Sequence, residues 1–567
     1  MMSTHRTPAA SAGAAPGPGR RDAASHGSHG AATLSRRHLG GLAATGAVLG
    51  TGVLLAAPSP EAESGAAAQP ANPGFAEGLS RWSVSGQSSA AEVRAAGGRP
   101  HVLHLEPTPG QEVAVSQRVV VGQGGDITLR ALVRAGGDGR AASLELRNQG
   151  RTSHVHVPVT GAEGTWLELA VSAPAARGAL DITLRVSGVE GAWAQVDELR
   201  FTPDLATRTV RGVDLSGVPK NEEHGAVYTT PDGAEPVDPV ELMGRSGASL
   251  GRLRVWVDPA DGYCTPERTV GMARRIRDAG MDVLVDFHYS DTWTDPGAQH
   301  VPAAWVQHDP QQLENAVAEH TRSTLTLLRD AGVDVAMVQV GNEINPGMLW
   351  PHGQTWDVDP EDGVEGAQWE NLARFLRAGG GAVAEVFPAA EVMLHLTNLQ
   401  DGIEGLTWWL DEAVSREVPL DVIGLSYYPY WHGTLADLQE AVTTLGTRYE
   451  RDVIVVETAY PFTLEDDPRA PFPNIVDAET DLPEGYPPTP DGQAAFFRAV
   501  QDVTVAAEGH RGRGVVYWEP AWTAVEGAGW DPEDPSSGNA WENQAMFDFS
   551  GAALPEVLAE LGATHER

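Results

Sequence analysis

The chain has 567 residues, and its 77 Asp and Glu against 39 Lys and Arg give a formal net charge of -38 at pH 7. So acidic a protein repels nucleic acid and anionic membrane surfaces, which excludes them as partners, whereas a neutral polymer is indifferent to this charge. The single cysteine, Cys264, excludes an intrachain disulfide and a cysteine-based zinc site. Because the length exceeds that of most single domains, we expect two folded units and a tail.

Residues 1–68 have the pattern of a disordered leader that ends in an export signal. The first 30 residues are rich in Ala, Gly, Ser, His and Pro and lack apolar periodicity. Arg36 and Arg37 then precede the charge-free apolar run 42–57, which resembles a twin-arginine signal. A membrane anchor is the alternative, but the run is shorter than the ~20 residues that span a bilayer. We therefore predict a secreted, extracellular protein that is not stably inserted in a membrane.

Residues 72–203 predict an all-β sandwich, because many short alternating segments are separated by glycine-rich turns. The opening NPGF (72–75) and the closing WAQVDELRF (193–201) resemble the jelly-roll carbohydrate-binding modules of secreted glycosidases. Sugar modules grip pyranose rings with exposed aromatics, and the candidates here are Trp82, Trp166 and Trp193. Burial in the core is the commoner role of a sandwich tryptophan, so no binding residue is assigned. A structural spacer stays open.

From Thr209 onward, short apolar strands alternate with amphipathic helical segments, which is the pattern of βα units on a parallel sheet. The predicted strands are 209–215, 250–257, 281–287, 335–340, 392–396, 422–426, 453–456 and 514–518. Eight such repeats within residues 207–565 specify an α/β fold, the (β/α)8 TIM barrel, whose functional residues lie in the loops that follow the strands.

Two of these strands end in a glutamate. Asn342 and Glu343 follow the fourth predicted strand, and Glu457 ends the seventh. For a single Asn-Glu pair, a solvated turn is the ordinary alternative. Two carboxylates delivered by two strand ends to one barrel mouth are the minimum equipment for hydrolysing a glycosidic bond. The pair therefore predicts a glycosidase site.

Aromatic residues cluster after four of the predicted strands. They lie in RLRVW (252–256), DFHY (286–289), SYYPYWH (426–432) and YWEPAW (517–522). Sugar faces stack on aromatic rings, and sugar hydroxyls need planar donors and acceptors, so the ligand class that this clustering favours is carbohydrate. For any single ring, packing between the barrel and its helices is equally expected.

The second unit resembles glycoside hydrolase family 53, the endo-β-1,4-galactanases of a large clan of retaining barrel enzymes. Matching stretches span the unit in family order and include RLRVWVDP (252–259), DFHYSDTWTDPGAQHVPAAW (286–305), QVGNEINPGMLWPHG (339–353), VVETAYPFT (455–463) and YWEPAW (517–522). The resemblance implies a secreted, retaining endo-β-1,4-galactanase that acts on the galactan side chains of pectic arabinogalactan. The alternatives are β-mannan or β-glucan specificity on the same barrel, and a non-catalytic polysaccharide-binding protein, which should have lost one glutamate.

The resemblance also implies roles for single residues. Glu343 is the expected acid/base, Glu457 the nucleophile, and Asn342 the partner of the sugar 2-hydroxyl. Arg254 is the cation expected to keep Glu457 ionised. Glu519 is the rival nucleophile because it too follows a strand end, although Pro520 and the family match favour a loop or structural role. The other expected substrate-binding residues are His288, Trp293, Tyr428 and Trp518.

We expect no cofactor and no metal. Bacterial members of the family often hold Ca2+ in the loop after strand seven with alternating Asp, His and Asn ligands. In this chain residues 464–474 read LEDDPRAPFPN, without the histidine and without the spacing. The expected partner is the polysaccharide β-1,4-galactan, and the expected oligomeric state is a monomer.

Overall fold

The computed structural model describes residues 69–562, apart from 122–124, 149–150, 162–164, 176–177, 204–209, 469–471, 508 and 510. The predicted leader and export signal, residues 1–68, lie outside the described residues. Within the described part of the chain, no helix is both long enough and apolar enough to cross a membrane.

The amino-terminal unit consists of two five-stranded antiparallel sheets. Their orders are β1-β4-β9-β6-β7 and β2-β3-β10-β5-β8, and apolar side chains at alternate positions of both sheets share one core. Trp82 is buried there. The all-β prediction is confirmed. The strands are β1 (Ser83–Gly86), β2 (Ala91–Ala96), β3 (Arg99–Leu105), β4 (Glu112–Val121), β5 (Gly125–Gly136), β6 (Ala142–Asn148), β7 (Arg151–His156), β8 (Leu167–Ala175), β9 (Gly178–Ser187) and β10 (Trp193–Pro203).

The second unit is a closed barrel of eight parallel strands, as predicted. The strands are β11 (Val210–Asp214), β12 (Leu250–Val255), β13 (Asp282–Phe287), β14 (Met337–Val340), β17 (Glu391–Leu396), β18 (Val422–Ser426), β19 (Asp452–Thr458) and β20 (Gly512–Tyr517). A small ribbon, β15 (Gly347–Met348) with β16 (Gly353–Gln354), lies in the loop after β14. The helices are α1 (Val218–Glu223), α2 (Pro239–Arg245), α3 (Pro266–Asp278), α4 (Pro310–Asp330), α5 (Trp369–Val386), α6 (Ile403–Ser415), α7 (Leu435–Tyr449), α8 (Pro490–Ala506) and α9 (Pro555–Gly562).

Several barrel helices begin at local capping signals. Asp309 accepts a hydrogen bond from the backbone N–H of Gln312, whose side chain accepts one from the N–H of Asp309, and Pro310 opens α4. Thr434 and Asp437 form the same reciprocal pair at the start of α7. Because such signals need only neighbouring residues, they place helix starts independently of the tertiary fold.

The inside of the barrel changes from apolar to polar along its strands. An apolar floor is formed by Val210, Leu250, Leu284, Met337, Met393, Val422, Ile454, Val456 and Val516. Nearer the carboxyl ends the buried side chains are polar and include Arg252, Arg254, Gln339, His395 and Ser426. Buried polar groups are costly unless they are hydrogen-bonded, so this upper half of the barrel requires a network.

The sandwich packs directly against the barrel, and the described residues of both form one compact unit. The side-chain amide of Gln439 on α7 pairs with both the N–H and the carbonyl of Glu168, each at 2.7 Å. Arg130 of β5 donates to the carbonyl of Ala506 at the end of α8 (2.8 Å). Arg140 pairs with Glu560 of α9 (2.8 Å). The outside of the barrel is therefore joined to the sandwich by polar contacts that are buried or partly buried.

Strand β12 packs closely against α3. Alanine substitutions at two glycines, one on each element, should therefore change the free energy of unfolding in opposite directions. A Cβ on Gly251 would lie 2.6 Å from Ile276, whereas one on Gly271, an exposed position of α3, would meet nothing within 4 Å. Gly251→Ala should therefore lower the free energy of unfolding by about 1–3 kcal/mol through overpacking. Gly271→Ala should raise it by about 0.5–1 kcal/mol through helix propensity. Urea unfolding of the full chain measures both, and changes of the same sign would contradict the packing.

Candidate active site

Glu343 is placed at the barrel mouth by a tight turn after β14. The turn begins at Gly341, where φ is 89° and a Cβ would lie 2.7 Å from Ile344. Glu343 itself has a φ of 49°, in the left-handed region that non-glycine residues adopt at a cost. Ser426 at the end of β18 donates a hydrogen bond to Glu343 Oε1 (2.5 Å). The backbone strain and this bond together set the direction of the carboxyl group.

Glu457 reaches the interior because β19 is irregular. Strand alternation would put Glu457 on the opposite side from Val456, which belongs to the apolar floor. The pairing registers shift beside Glu457 on both sides of β19, with β18 and with β20. Bulges of this kind re-aim side chains next to active sites. Val456 and Glu457 therefore both face into the barrel.

Arg252 of β12 is the cation that Glu457 contacts. It is completely buried and lies 2.9 Å from Glu457 Oε1, and also 2.9 Å from Asp214 and from Asp286. The prediction that Arg254 pairs with Glu457 is wrong, because Arg254 binds Glu519 instead (3.1 Å). Both arginines point inward, since they are two residues apart on one strand, but Arg254 lies nearer the mouth, beside the end of β20.

The two carboxyl groups are buried and differ in their charged neighbours. Burial raises the pKa of Glu343, and the negative charge of Glu457 raises it further. Burial also raises the pKa of Glu457, but the adjacent Arg252 opposes this effect. The ion pair with Arg252 therefore favours the ionised form of Glu457 over that of Glu343. One neutral acid beside one carboxylate is the arrangement that glycoside hydrolysis needs.

Tyr428 and His288 lie on the Glu457 side of the site, Tyr428 in direct contact with that residue and His288 further away. Tyr428 donates its hydroxyl hydrogen to Glu457 Oε2 (3.1 Å). His288 is one step removed: its Nδ1 accepts the N–H of Thr294 (3.2 Å), so the neutral ring donates from Nε2 to Asp286 (3.1 Å). Burial lowers the pKa of His288 and favours this neutral form. His288 thus orients Asp286, which in turn holds Arg252.

Asn342 lies immediately before Glu343 and is firmly held. Its Oδ1 accepts from Arg252 (3.0 Å), and its Nδ2 donates to the carbonyl of Thr294 (2.8 Å). One amide hydrogen of Nδ2 has no partner among the described residues and remains for a ligand.

The expected sugar-contacting tryptophans form part of one aromatic wall. Trp293 stacks on Trp522 with ring centroids 5.8 Å apart, and its indole donates to the carbonyl of Trp530 (2.8 Å). Trp518 packs edge-on against Trp541 at 4.7 Å. The guanidinium of Arg254 lies 3.9 Å from the ring centre of Trp293. Arg254 therefore supports the wall.

Glu519, the rival nucleophile, is occupied by other partners. Its Oε1 accepts from Arg254 (3.1 Å), and its Oε2 accepts from the N–H of Gly217 (3.1 Å). Glu519 also has a positive φ of 46°. These contacts tie the loop after β20 to the loop after β11.

Gln339 and His395, which the sequence analysis did not identify, support Glu343 through Ser426. His395 of β17 lies 2.9 Å from the hydroxyl oxygen of Ser426, and Gln339 lies 3.0 Å from the other ring nitrogen. The Ser426 hydroxyl gives its single hydrogen to Glu343, so it accepts from the Nε2–H of His395. Burial lowers the pKa of His395 well below its usual value, which keeps the ring neutral. A polar residue inside the apolar strands MVQV and EVMLHL was the signal for Gln339 and His395.

No group of three or more His, Cys, Asp or Glu side chains able to hold a metal ion occurs among the described residues. Within the loop 464–474 the structure describes all but 469–471. Asn474 there donates to the carbonyl of Glu465 (3.0 Å), and its N–H donates to Asp466 (3.1 Å).

Comparison with known proteins places the barrel in a defined group. The family model described as glycosyl hydrolase family 53 matches residues 210–559. A protein of Niallia circulans, described as an uncharacterized protein in the bgaB 5' region, is 38% identical over 62% of this chain and 93% of its own length. The arabinogalactan endo-β-1,4-galactanase of Thermothelomyces thermophilus is 32% identical over 62% of this chain and 98% of its own. The solved GH53 catalytic domain of Ignisphaera aggregans is 35% identical, with a TM-score of 0.57 over 63% of this chain and 97% of that one.

The bond from Ser426 to Glu343 should be visible in the pH dependence of glycosidase activity. This bond lowers the pKa of Glu343, so Ser426→Ala should raise that pKa. Activity that needs protonated Glu343 is lost as pH rises through its pKa, so the basic limb of the kcat/KM profile should move to higher pH. A bond worth about 1 kcal/mol corresponds to a shift of about 0.7 pH units. Ser415→Ala, at an exposed position of α6, is the control, and an unmoved or lowered basic limb would contradict the assignment.

Proposed function

This chain belongs to glycosyl hydrolase family 53, and from that membership we propose that it is an endo-acting β-1,4-galactanase. The Thermothelomyces thermophilus relative carries the name arabinogalactan endo-β-1,4-galactanase and is matched over 98% of its length, which supports galactan as the substrate. The observation that carries the chemistry is the contrast between Glu457, paired with Arg252, and Glu343, which has no such cation beside it among the contacts described. The substrate is proposed to be the galactan side chains of pectic arabinogalactan.

The proposed mechanism is a retaining double displacement. Glu457 attacks the anomeric carbon while Glu343 protonates the departing glycosidic oxygen, so the C–O bond breaks and a glycosyl-enzyme ester forms. Glu343 then removes a proton from water, which attacks the same carbon and releases Glu457. Ser426 pairs across the sheet with Glu457 and donates to Glu343, so the two carboxyl groups flank one serine. Asn342 is proposed to hydrogen-bond the sugar 2-hydroxyl with its remaining amide hydrogen.

We also propose that the protein is exported, monomeric and active without a metal. The Arg36-Arg37 pair before an apolar run supports export. The ligand-poor loop after β19 supports metal independence.

The sandwich is proposed to bind the same polymer on the outer face of sheet β2-β3-β10-β5-β8. Trp193 is half-buried there beside His104, with ring centroids 6.1 Å apart, and Arg94 contacts the same histidine (3.0 Å). Trp166, also half-buried, lies under Arg134 (5.1 Å). Half-exposed indoles beside planar donors are the groups that recognise a pyranose.

Two variants test this binding face in the full chain, with Glu457→Ala present throughout to prevent hydrolysis. Trp193→Ala and Arg94→Ala should each weaken binding to soluble β-1,4-galactan about fivefold, the effect of losing about 1 kcal/mol. Affinity electrophoresis measures this retardation. Arg118→Ala, on the opposite sheet, is the matched control and should bind normally. Retention of full affinity by both test variants would exclude this face.

Substrate preference and glutamate roles are tested by product analysis on galactan, mannan and cellulose, followed by two variants. Glu343→Ala should lose several powers of ten in kcat on galactan but keep glycosylation by an activated aryl galactoside, whose leaving group needs no proton. Glu457→Ala should lose both activities, because no glycosyl-enzyme can form. Azide should then give the β-galactosyl azide with the Glu343 variant and the α-anomer with the Glu457 variant.

The opposite assignment of azide anomers would exchange the two roles. Glu519→Gln, which alters a carboxylate held by Arg254, is the control and should lose less than either variant. A far larger loss for this control would place the nucleophile on β20.

A further inference from the structure

We infer that the sandwich is a positioning element of the active site. It contacts Tyr486, and by way of Tyr486 it holds the chain segment that follows Glu457 in place. This inference rests on the proposed role of Glu457 as nucleophile. It makes the amino-terminal unit part of the catalytic architecture, in addition to any binding of polymer.

The contact between the sandwich and this segment is closely fitted. The N–H of Val159 donates to the Tyr486 hydroxyl (2.8 Å), and the N–H of Gly139 donates to the carbonyl of Gly485 (3.0 Å). Gly485 has a φ of 87°, and a Cβ there would lie 2.4 Å from the carbonyl oxygen of Gly137 and 2.5 Å from Val159. Only glycine fits this position, so backbone from the two units meets directly.

From Tyr486 the contact continues to the segment behind the nucleophile. The hydroxyl of Tyr460, three residues after Glu457, donates to the carbonyl of Tyr486 (2.5 Å). Tyr460 stacks on Phe496 with ring centroids 4.4 Å apart, and Tyr486 meets the edge of the same ring at 5.2 Å. Tyr460 and Tyr486 are both almost completely buried. A displacement of Tyr486 therefore displaces Tyr460.

The same aromatic cluster also reaches Glu457 from the neighbouring strand end. Tyr427 stacks on Phe496 at 6.4 Å, and its N–H donates to the backbone carbonyl of Glu457 (2.8 Å). The next residue, Tyr428, donates to the Glu457 carboxylate. Phe496 thus contacts both segments that border Glu457, and it also contacts Tyr486, the residue that the sandwich holds.

Other contacts between sandwich and barrel, among the described residues, touch the outer helices and provide matched controls. Gln439 of α7 pairs with the backbone of Glu168, and Arg140 pairs with Glu560 of α9. None of these described contacts includes a residue of the loop after β19. Loss of one of them should loosen the interface without moving Glu457.

Small displacements of a nucleophile are expensive in rate. A shift of about 1 Å costs on the order of 100-fold in an enzyme reaction. Movement of Glu457 away from Arg252 would also weaken the interaction that lowers its pKa. A carboxylate nucleophile must be ionised, so a raised pKa moves the acidic limb of the kcat/KM profile to higher pH.

The test uses the full chain and a short soluble substrate, galactotetraose, so that polymer binding by the sandwich does not enter. Tyr486→Phe removes one oxygen and should lower kcat about tenfold, with KM unchanged within twofold and the acidic limb moved to higher pH. Gly485→Ala should have a larger effect in the same directions. Gln439→Ala and Arg140→Ala should keep kcat and the pH profile of the wild type, even where they lower the thermal midpoint.

Two outcomes would overturn the inference: an unchanged kcat and pH profile in Tyr486→Phe, or losses in all four variants that simply follow their thermal destabilisation. Should Gly485→Ala fail to fold, Tyr486→Phe decides alone, because it keeps the buried ring. Failure of the proposed function shows separately, as a wild-type protein inactive on galactotetraose. The variants would then be compared on whichever β-linked oligosaccharide the wild type hydrolyses.

Discussion

A single buried guanidinium organises the active site. Arg252 has no contact with solvent, and a charge so placed is stable only when opposite charges and hydrogen bonds replace its water. Asp214, Asp286 and Glu457 supply these from three other strands. Removing one partner of a buried pair typically costs about 3–5 kcal/mol, so the need to satisfy Arg252 draws the strand ends together. The same cation favours the ionised form of Glu457 over that of Glu343.

The layered interior of the barrel makes this possible. The residues of the apolar floor, which include Val210 and Val516, bury apolar surface and so stabilise the barrel. Polar side chains occupy only the upper levels. Around the glutamates, two histidines act through other groups. His288 holds Asp286, which holds Arg252, and His395 holds Ser426, which donates directly to Glu343. Satisfied networks of this kind are rigid, which suits a site where geometry sets the rate.

The sandwich contributes to that rigidity from outside the barrel. The sandwich contacts Gly485 and Tyr486 at one end of an aromatic cluster. At the other end of this cluster, Tyr427 and Tyr460 border Glu457. Glu457 is thus restrained by Arg252 within the barrel and by packing that extends to a second folded unit. The strained turn at Glu343 is supported by Ser426 and His395.

The amino-acid sequence by itself determined the fold class and the position of two glutamates at strand ends of the barrel. Strand and helix periodicities are local, and a carboxylate at a strand end reveals itself through neighbours such as Gly341, so the barrel, the sandwich, Glu343 and Glu457 could be read without coordinates. The sequence did not determine which arginine pairs with Glu457. The alternation of side chains along a strand predicts that Arg252 and Arg254 face the same side. The level at which each lies inside the barrel depends on how the eight strands are staggered. The irregularity that turns Glu457 inward beside Val456, and the contact of Val159 with Tyr486, were likewise decided only by the tertiary structure, because each depends on residues far apart in the chain whose distances no local pattern encodes.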